Sequence, residues 1–220
     1  MTAEPGFEAA RSSRRALWAL LAAMAAWSGC FIARSSFVVS GRRVFCLFED
    51  AMISMTYARS LVEGHGLNWA RAGPPVEGFT HPLWVALMVP INALPLDLRF
   101  RSLPVQLLSL GILVLHVVLV RRVTRRFFAA AAAPPHWLPA ALLTAFYYPL
   151  SYWSLMGLES GLQALLTTAS VLLALDIVCR GQDRHRALLL LGAAAYLLRM
   201  DMALMVLVVQ LYVIAGGGLR

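Results

Sequence analysis

Phe48–His81 reads FEDAMISMTYARSLVEGHGLNWARAGPPVEGFTH, a polar stretch between strongly apolar segments. It holds four of the chain's eleven acidic residues, Glu49, Asp50, Glu63 and Glu77. Its first half has helical character. Ile53, Tyr57 and Leu61 recur every four residues and predict one apolar face, with Met52, Met55 and Arg59 elsewhere on the helix. A helix of that kind fits a membrane surface. Gly64 and Gly66 predict its end. Gly73, Pro74 and Pro75 predict a turn, and Pro82 opens the next helix, where proline is tolerated.

Outside this stretch the chain is apolar. Of its 220 residues 60% are hydrophobic and 14% are charged. Several apolar runs approach or reach the length of a bilayer crossing. A soluble helical domain is excluded, because its helices would be apolar all round, with too little polar surface to dissolve it. The expectation is an all-α, polytopic integral membrane protein. It has about five to seven membrane helices or partial spans, and a large external first loop, 40–81, contains the amphipathic helix.

The net charge of +8 is clustered. Arg11, Arg14 and Arg15 precede the first apolar run, Arg121, Arg122, Arg125 and Arg126 follow a later one, and Arg180, Arg184 and Arg186 surround another break. That is the loop charge of a membrane protein rather than a nucleic-acid face. Residues 1–15 read as a disordered cytoplasmic tail. The run 16–39 is longer than a signal-peptide core and reads as an uncleaved first span. It carries Arg34 near its far end, either snorkelling to the interface or facing protein. The resulting localisation is the plasma (inner) membrane, multi-pass, with the N-terminus inside and membrane lipids as neighbours.

Further apolar segments are 82–96, 103–120, 138–150, 162–178, 187–198 and 202–214. Tyr147, Tyr148, Tyr152 and Trp153 suit an interfacial belt. The charge rule conflicts with this count. If 82–96 and 103–120 both crossed, the 121–126 arginines would lie outside. Either the proline-containing 82–96 segment is not a full crossing or the rule is broken once. Cys30, Cys46 and Cys179 share no metal or disulfide spacing, and Cys30 and Cys179 read as packing residues.

Several residues carry candidate chemistry. Glu49-Asp50 opens the surface helix, either as a capping pair or as a base or cation ligand near the membrane boundary. Glu77, His81 and Trp84 follow the turn, where a carboxylate, an imidazole and an aromatic face suit a sugar or phosphate. Equally, His81 suits a hydrogen-bonding role at the helix start, and Trp69 and Trp84 suit interface anchors. Glu159 and Asp201 adjoin apolar runs, where ionisable groups face protein or a water-filled cavity. Arg199 pairs with such acids or neutralises a phosphate. His116, in mid-span, reads as packed, and His65 has no evident partner.

Residues 49–84 resemble the first external loop of GT-C polytopic membrane glycosyltransferases. The look is closest to the actinobacterial terminal arabinofuranosyltransferases and their uncharacterised relatives. The resemblance lies in Glu49-Asp50, Ala58-Arg59-Ser60-Leu61, Gly64-His65-Gly66-Leu67 and Val76 through Trp84, then in Ser154–Glu159 and Leu198–Asp201. It spans about 150 residues, with Glu49 where Asp is frequent and Met200 where Pro is frequent.

The resemblance implies inverting transfer of a sugar from a polyprenyl-phosphate donor to a hydroxyl of an envelope glycan, lipid or protein, on the external face. Asp50 would be the base and Glu49 its support, or both would hold a divalent cation. Arg59, His81 or Arg199 would orient the phosphate, and Glu77, Trp84, Glu159 and Asp201 would line the substrate site. Relatives are longer, so residues 16–220 correspond to a partial module that a C-terminal part or a partner subunit completes. Two other classes stay open: a transporter or flippase of a lipid-linked substrate, with Glu159 and Asp201 as coupling residues, and a non-catalytic truncated membrane fragment. No nucleic-acid partner is expected.

Overall fold

The structure, a computed structural model, describes residues 5–70, 76, 78–128 and 137–218. The expected loop residues Gly73, Pro74, Pro75 and Glu77 lie outside the described residues. Helix α1 (Pro5–Ser35) leads into a short hairpin of β1 (Phe37–Val39) and β2 (Arg42–Val44), antiparallel, with Phe37 opposite Val44. Then come α2 (Glu49–Val62), α3 (Pro82–Asn92), a 3-10 turn at Leu98–Phe100, and α4 (Leu103–Phe127). The remaining helices are α5 (Trp137–Ala145), α6 (Tyr148–Leu155), α7 (Ser160–Arg180), α8 (His185–Leu198) and α9 (Met202–Gly218).

The chain is therefore mostly helical. Among the described residues, three helical stretches are long and apolar enough to cross a membrane: Arg11–Ser35, Leu98–Phe127 and Ser160–Arg180. Helices α8 and α9 are apolar but shorter, and their outward side chains are large and apolar, with Leu190 72% and Leu204 70% exposed. Helices apolar on their outer faces suit lipid.

Three expectations change. The N-terminal 1–15 stretch is not a separate tail, because Pro5 to Arg15 belongs to α1. No proline or glycine punctuates 7–28, so the helix runs through the arginines. The first apolar run does not stay helical to Val39. Its last β-branched residues pair in the hairpin, so the fold is not purely α. Cys30 and Cys179 are exposed on their helices rather than packed inside. A small apolar thiol is equally at home on a lipid-facing surface.

Helix α2 buries Ala51, Ser54, Met55, Tyr57 and Ala58, while Leu61 is exposed and Ile53 is only half-buried. The buried row follows i, i+3, i+4, i+7 through small residues rather than the four-residue row of Ile53, Tyr57 and Leu61. The cause is α3, whose Trp84, Val85 and Met88 pack against α2 in one core cluster. Small side chains there let two helices approach closely.

Helix α3 bears on the topology conflict through its length and its ties. Eleven residues of helix reach about 16 Å, half of a hydrocarbon core of about 30 Å. At one end of α3, His81 meets Ser54 of α2; at the other, the Asn92 amide lies 3.4 Å from Met55 Sδ. Just beyond, Phe45 N–H donates to Arg99 O at 2.9 Å, and Gln106 of α4 reaches Cys46 O. The chain between α1 and α4 thus stays at one end of the bundle.

All three arginine groups gather at the other end. Arg121 donates to Ser13 at 3.2 Å and stacks 4.9 Å from the Trp137 ring centroid. Arg126 and Arg180 both pair with the buried Asp176. One α7 length, about 30 Å, separates this basic end from Glu159.

Helices α5 and α6 are one apolar segment in two pieces. Pro149 lacks the N–H that a continuous helix requires, and the break falls at Phe146–Tyr147. Tyr147 and Tyr148 are exposed there, Tyr152 meets Phe31 edge-on at 5.8 Å, and Trp153 meets Phe48 at 5.1 Å. His116 is packed, as expected, with Nε2 3.0 Å from Thr168 Oγ1.

Candidate functional site

The turn between α6 and α7 anchors the end opposite the arginines. Gly157 has φ +94°, a conformation that favours glycine. A Cβ there would also sit 2.9 Å from Leu47 Cδ1 and 3.1 Å from Ala51 Cβ. Backbone bonds hold this turn from two sides. Phe48 N–H donates to Met156 O at 2.8 Å, and Trp84 Nε1–H donates to Gly157 O at 2.9 Å. Trp84 is 1% exposed. It is buried too deeply to offer a face to a ligand, and it ties α3 to the turn.

These ties bring the starts of α2, α3, α7 and α9 together. Glu159 precedes α7 with its side chain 5% exposed. Its Oε1 accepts from Arg199 Nη1 at 2.9 Å, and its Oε2 has no partner among the described residues. Arg199 lies between α8 and α9 and also donates from Nε and Nη2 to Asp201, at 3.0–3.1 Å. Asp201 is exposed. Hydrogen bonds from Arg199 hold the Asp201 carboxyl below the usual carboxylate range, while Asp201, then Glu159, push the guanidinium above its ordinary value.

His81 precedes α3 and is half-buried. Its Nε2 lies 2.5 Å from Ser54 Oγ, and Ser54 is fully buried. Its Nδ1 has a 3.5 Å approach to Thr80 Oγ1 on the exposed side. Burial pushes the imidazole below its ordinary pKa. Glu159 opposes this, Arg199 assists it and Asp50 opposes it. All three charges thus act on one ring.

Glu49 and Asp50 occupy the first turn of α2 and are exposed. Of the capping reading only the dipole half holds. Phe48 is the N-cap, with no side-chain hydrogen bond, and the carboxylates act on the helix dipole instead. Successive helical residues project about 100° apart, so Glu49 and Asp50 leave α2 in different directions. Among the described residues no three His, Cys, Asp or Glu side chains gather as metal ligands.

Of the residues singled out from sequence, Asp50, His81, Glu159, Arg199 and Asp201 share this end, and Trp84 supports it from within. Arg59 stands apart near the far end of α2, paired with Glu63 at 2.7 Å. Glu77 lies outside the described residues. Sequence reasoning missed Ser54, and it placed Tyr57 on the apolar face without finding its hydroxyl contact, a donation to Val76 O at 2.6 Å. Tyr57 also packs edge-on against Phe79 at 4.8 Å, and a Cβ at Gly78 would lie 2.7 Å from its hydroxyl. Gly78, in the Val-Glu-Gly segment, was the available signal for such a close approach.

Compared with models of protein families, with curated proteins and with solved structures, the chain matches none.

Proposed function

We propose that the chain is the membrane-embedded catalytic part of a GT-C-type glycosyltransferase that uses a polyprenyl-phosphate sugar. The observation that carries this reading is the convergence of Asp50, His81, Glu159 and Arg199, from four separate segments, at the end of the bundle opposite the arginine clusters 11–15, 121–126 and 180–186. Reading those three clusters as cytoplasmic makes that end external. Asp50 accepts the proton of an acceptor hydroxyl. The hydroxyl oxygen bonds to the anomeric carbon as the bond from that carbon to the phosphate oxygen breaks. The electron pair leaves with the phosphate, and the anomeric configuration inverts.

Glu159 and Asp201 hold Arg199 in one orientation, which fixes the wall of the site. A transporter reading needs carboxylates near mid-membrane on a path to both faces. Asp201 is exposed at one end, so no observation favours that alternative.

The test is transfer of radiolabelled pentose from polyprenyl phosphate by membranes carrying the full chain. Asp50→Asn abolishes transfer if the reading holds. Unchanged turnover in that variant removes Asp50 from the mechanism.

A further inference from the structure

The Ser54–His81 pair is tighter than a helix start requires. Ser54 Oγ and His81 Nε2 lie 2.5 Å apart, and Ser54 is 0% exposed. Among the described residues the Ser54 hydroxyl has no other partner, whereas Ser154 of α6 donates to the Leu150 carbonyl. If Nε2 carried the proton, the hydroxyl hydrogen would be buried without an acceptor, which is costly. Ser54 therefore donates to Nε2, and the neutral ring carries its proton on Nδ1. That nitrogen lies on the exposed side, with only the long approach to Thr80.

We infer that Ser54 fixes His81 as the Nδ1–H tautomer, so that the imidazole serves the site as a neutral hydrogen-bond donor to a phosphate oxygen and not as a base. The phosphate half rests on the transferase reading above; the tautomer half does not. The two arginines weighed for that role are both held by carboxylates. Arg59 is held by Glu63, and Arg199 lies between two carboxylates that already neutralise it. A neutral N–H adds no charge of its own, so it can meet the phosphate without drawing the neighbouring carboxylates onto itself.

The groups acting on the ring are Ser54 and Asp50 from α2, Thr80 from its own loop, Glu159 at the start of α7, and Arg199 between α8 and α9. Burial favours the neutral ring over these competing charges. Ser54 touches no reacting atom in this scheme and acts through His81 as a positioning residue.

The tautomer is readable without turnover. In the full chain, labelled with 15N-histidine and held in lipid nanodiscs at neutral pH, the His81 signals are assigned by their loss in His81→Asn. The expected result is a protonated Nδ1 and an unprotonated Nε2. Ser54→Ala moves the proton largely to Nε2, and Ser54→Thr retains the original form. A protonated Nε2 in the unsubstituted chain, or no change in Ser54→Ala, overturns the tautomer assignment.

Undecaprenyl phosphate, inorganic phosphate and free arabinose are then titrated separately. A shift of the Nδ1 signal with either phosphate supports the donor role, and comparing the two shows whether the lipid is needed. A shift with arabinose alone, or with none of the three, overturns it. Loss of sugar transfer with an intact tautomer and phosphate response would instead count against the transferase reading alone.

Discussion

Arg199 Nη1 donates to Glu159 Oε1 at 2.9 Å, joining the start of α7 to the link between α8 and α9 across forty residues. The two partners differ in burial. Glu159 is 5% exposed and Arg199 is 38% exposed. The carboxylate therefore depends on the arginine more than the arginine depends on it, because Asp201 also holds the guanidinium. Removing one partner of a buried pair leaves a desolvated charge, the costly way to break it.

Arg199→Met should lower stability by about 2–3 kcal/mol, at or below the bottom of the range of about 3–5 kcal/mol for broken buried pairs, because the arginine is partly solvated. Glu159→Gln should cost less. The double variant should recover part of the loss, giving a nonzero coupling in a double-mutant cycle followed by thermal unfolding in detergent. Strict additivity would mean that the contact contributes nothing to stability.

Gly157→Ala should destabilise by about 1–3 kcal/mol, since alanine at φ +94° is strained. The added Cβ also meets Leu47 and Ala51. A compensating Leu47→Ala should relieve the steric part but leave the backbone strain. Thermal unfolding of the single and double variants separates the two contributions.

Asp50 is exposed, so Asp50→Asn should change stability by less than about 0.5 kcal/mol. Its effect should fall on sugar transfer instead, with a loss of about 100-fold or more. A large stability loss with proportionate loss of transfer would assign Asp50 to folding rather than chemistry.

Acid should weaken the fold in a defined order. The folded His81 pKa lies below its unfolded value, so its contribution is complete above about pH 6.5 and fades as the pH falls through the lower folded value. The Asp201 carboxyl is also depressed, so its contribution is complete above the ordinary carboxylate pKa and is lost at lower pH still. His81→Asn should remove the first phase of a stability–pH curve, and Asp201→Asn should flatten the second.

Sidedness is testable by labelling. With Cys30, Cys46 and Cys179 replaced by serine, single cysteines at Ser13 and Gln182 should react from the cytoplasmic side, and one at Asp201 from the outside. Ser13 and Asp201 reacting from the same side would break the topology, because each lies at an opposite end of the bundle.

Much was legible in the sequence because it depends on local composition. Long apolar runs, arginine-rich breaks and the helix-ending Gly64 and Gly66 are properties of neighbouring residues. Pro82 at a helix start and the packed His116 follow from the same local chemistry, whereas the break near Pro149 within 138–150 went unread. Glu159, Arg199 and Asp201 could be singled out because charge beside apolar sequence is costly wherever the chain places it.

What only the tertiary structure decided is contact across distance. Whether α3 crosses depends on where its two ends are tied, and Ser54, Met55 and Arg99 lie on other segments. The buried face of α2 depends on α3 lying against it, so the four-residue row of Ile53, Tyr57 and Leu61 misled. Trp84 reads equally well as an anchor or a ligand platform until Gly157 supplies an acceptor 73 residues away. Ser54 has no sequence signature at all, since one hydroxyl gains its meaning from the imidazole it meets. Local chemistry sets which segments enter the membrane, whereas hydrogen-bond satisfaction in a buried interior sets which residues meet there.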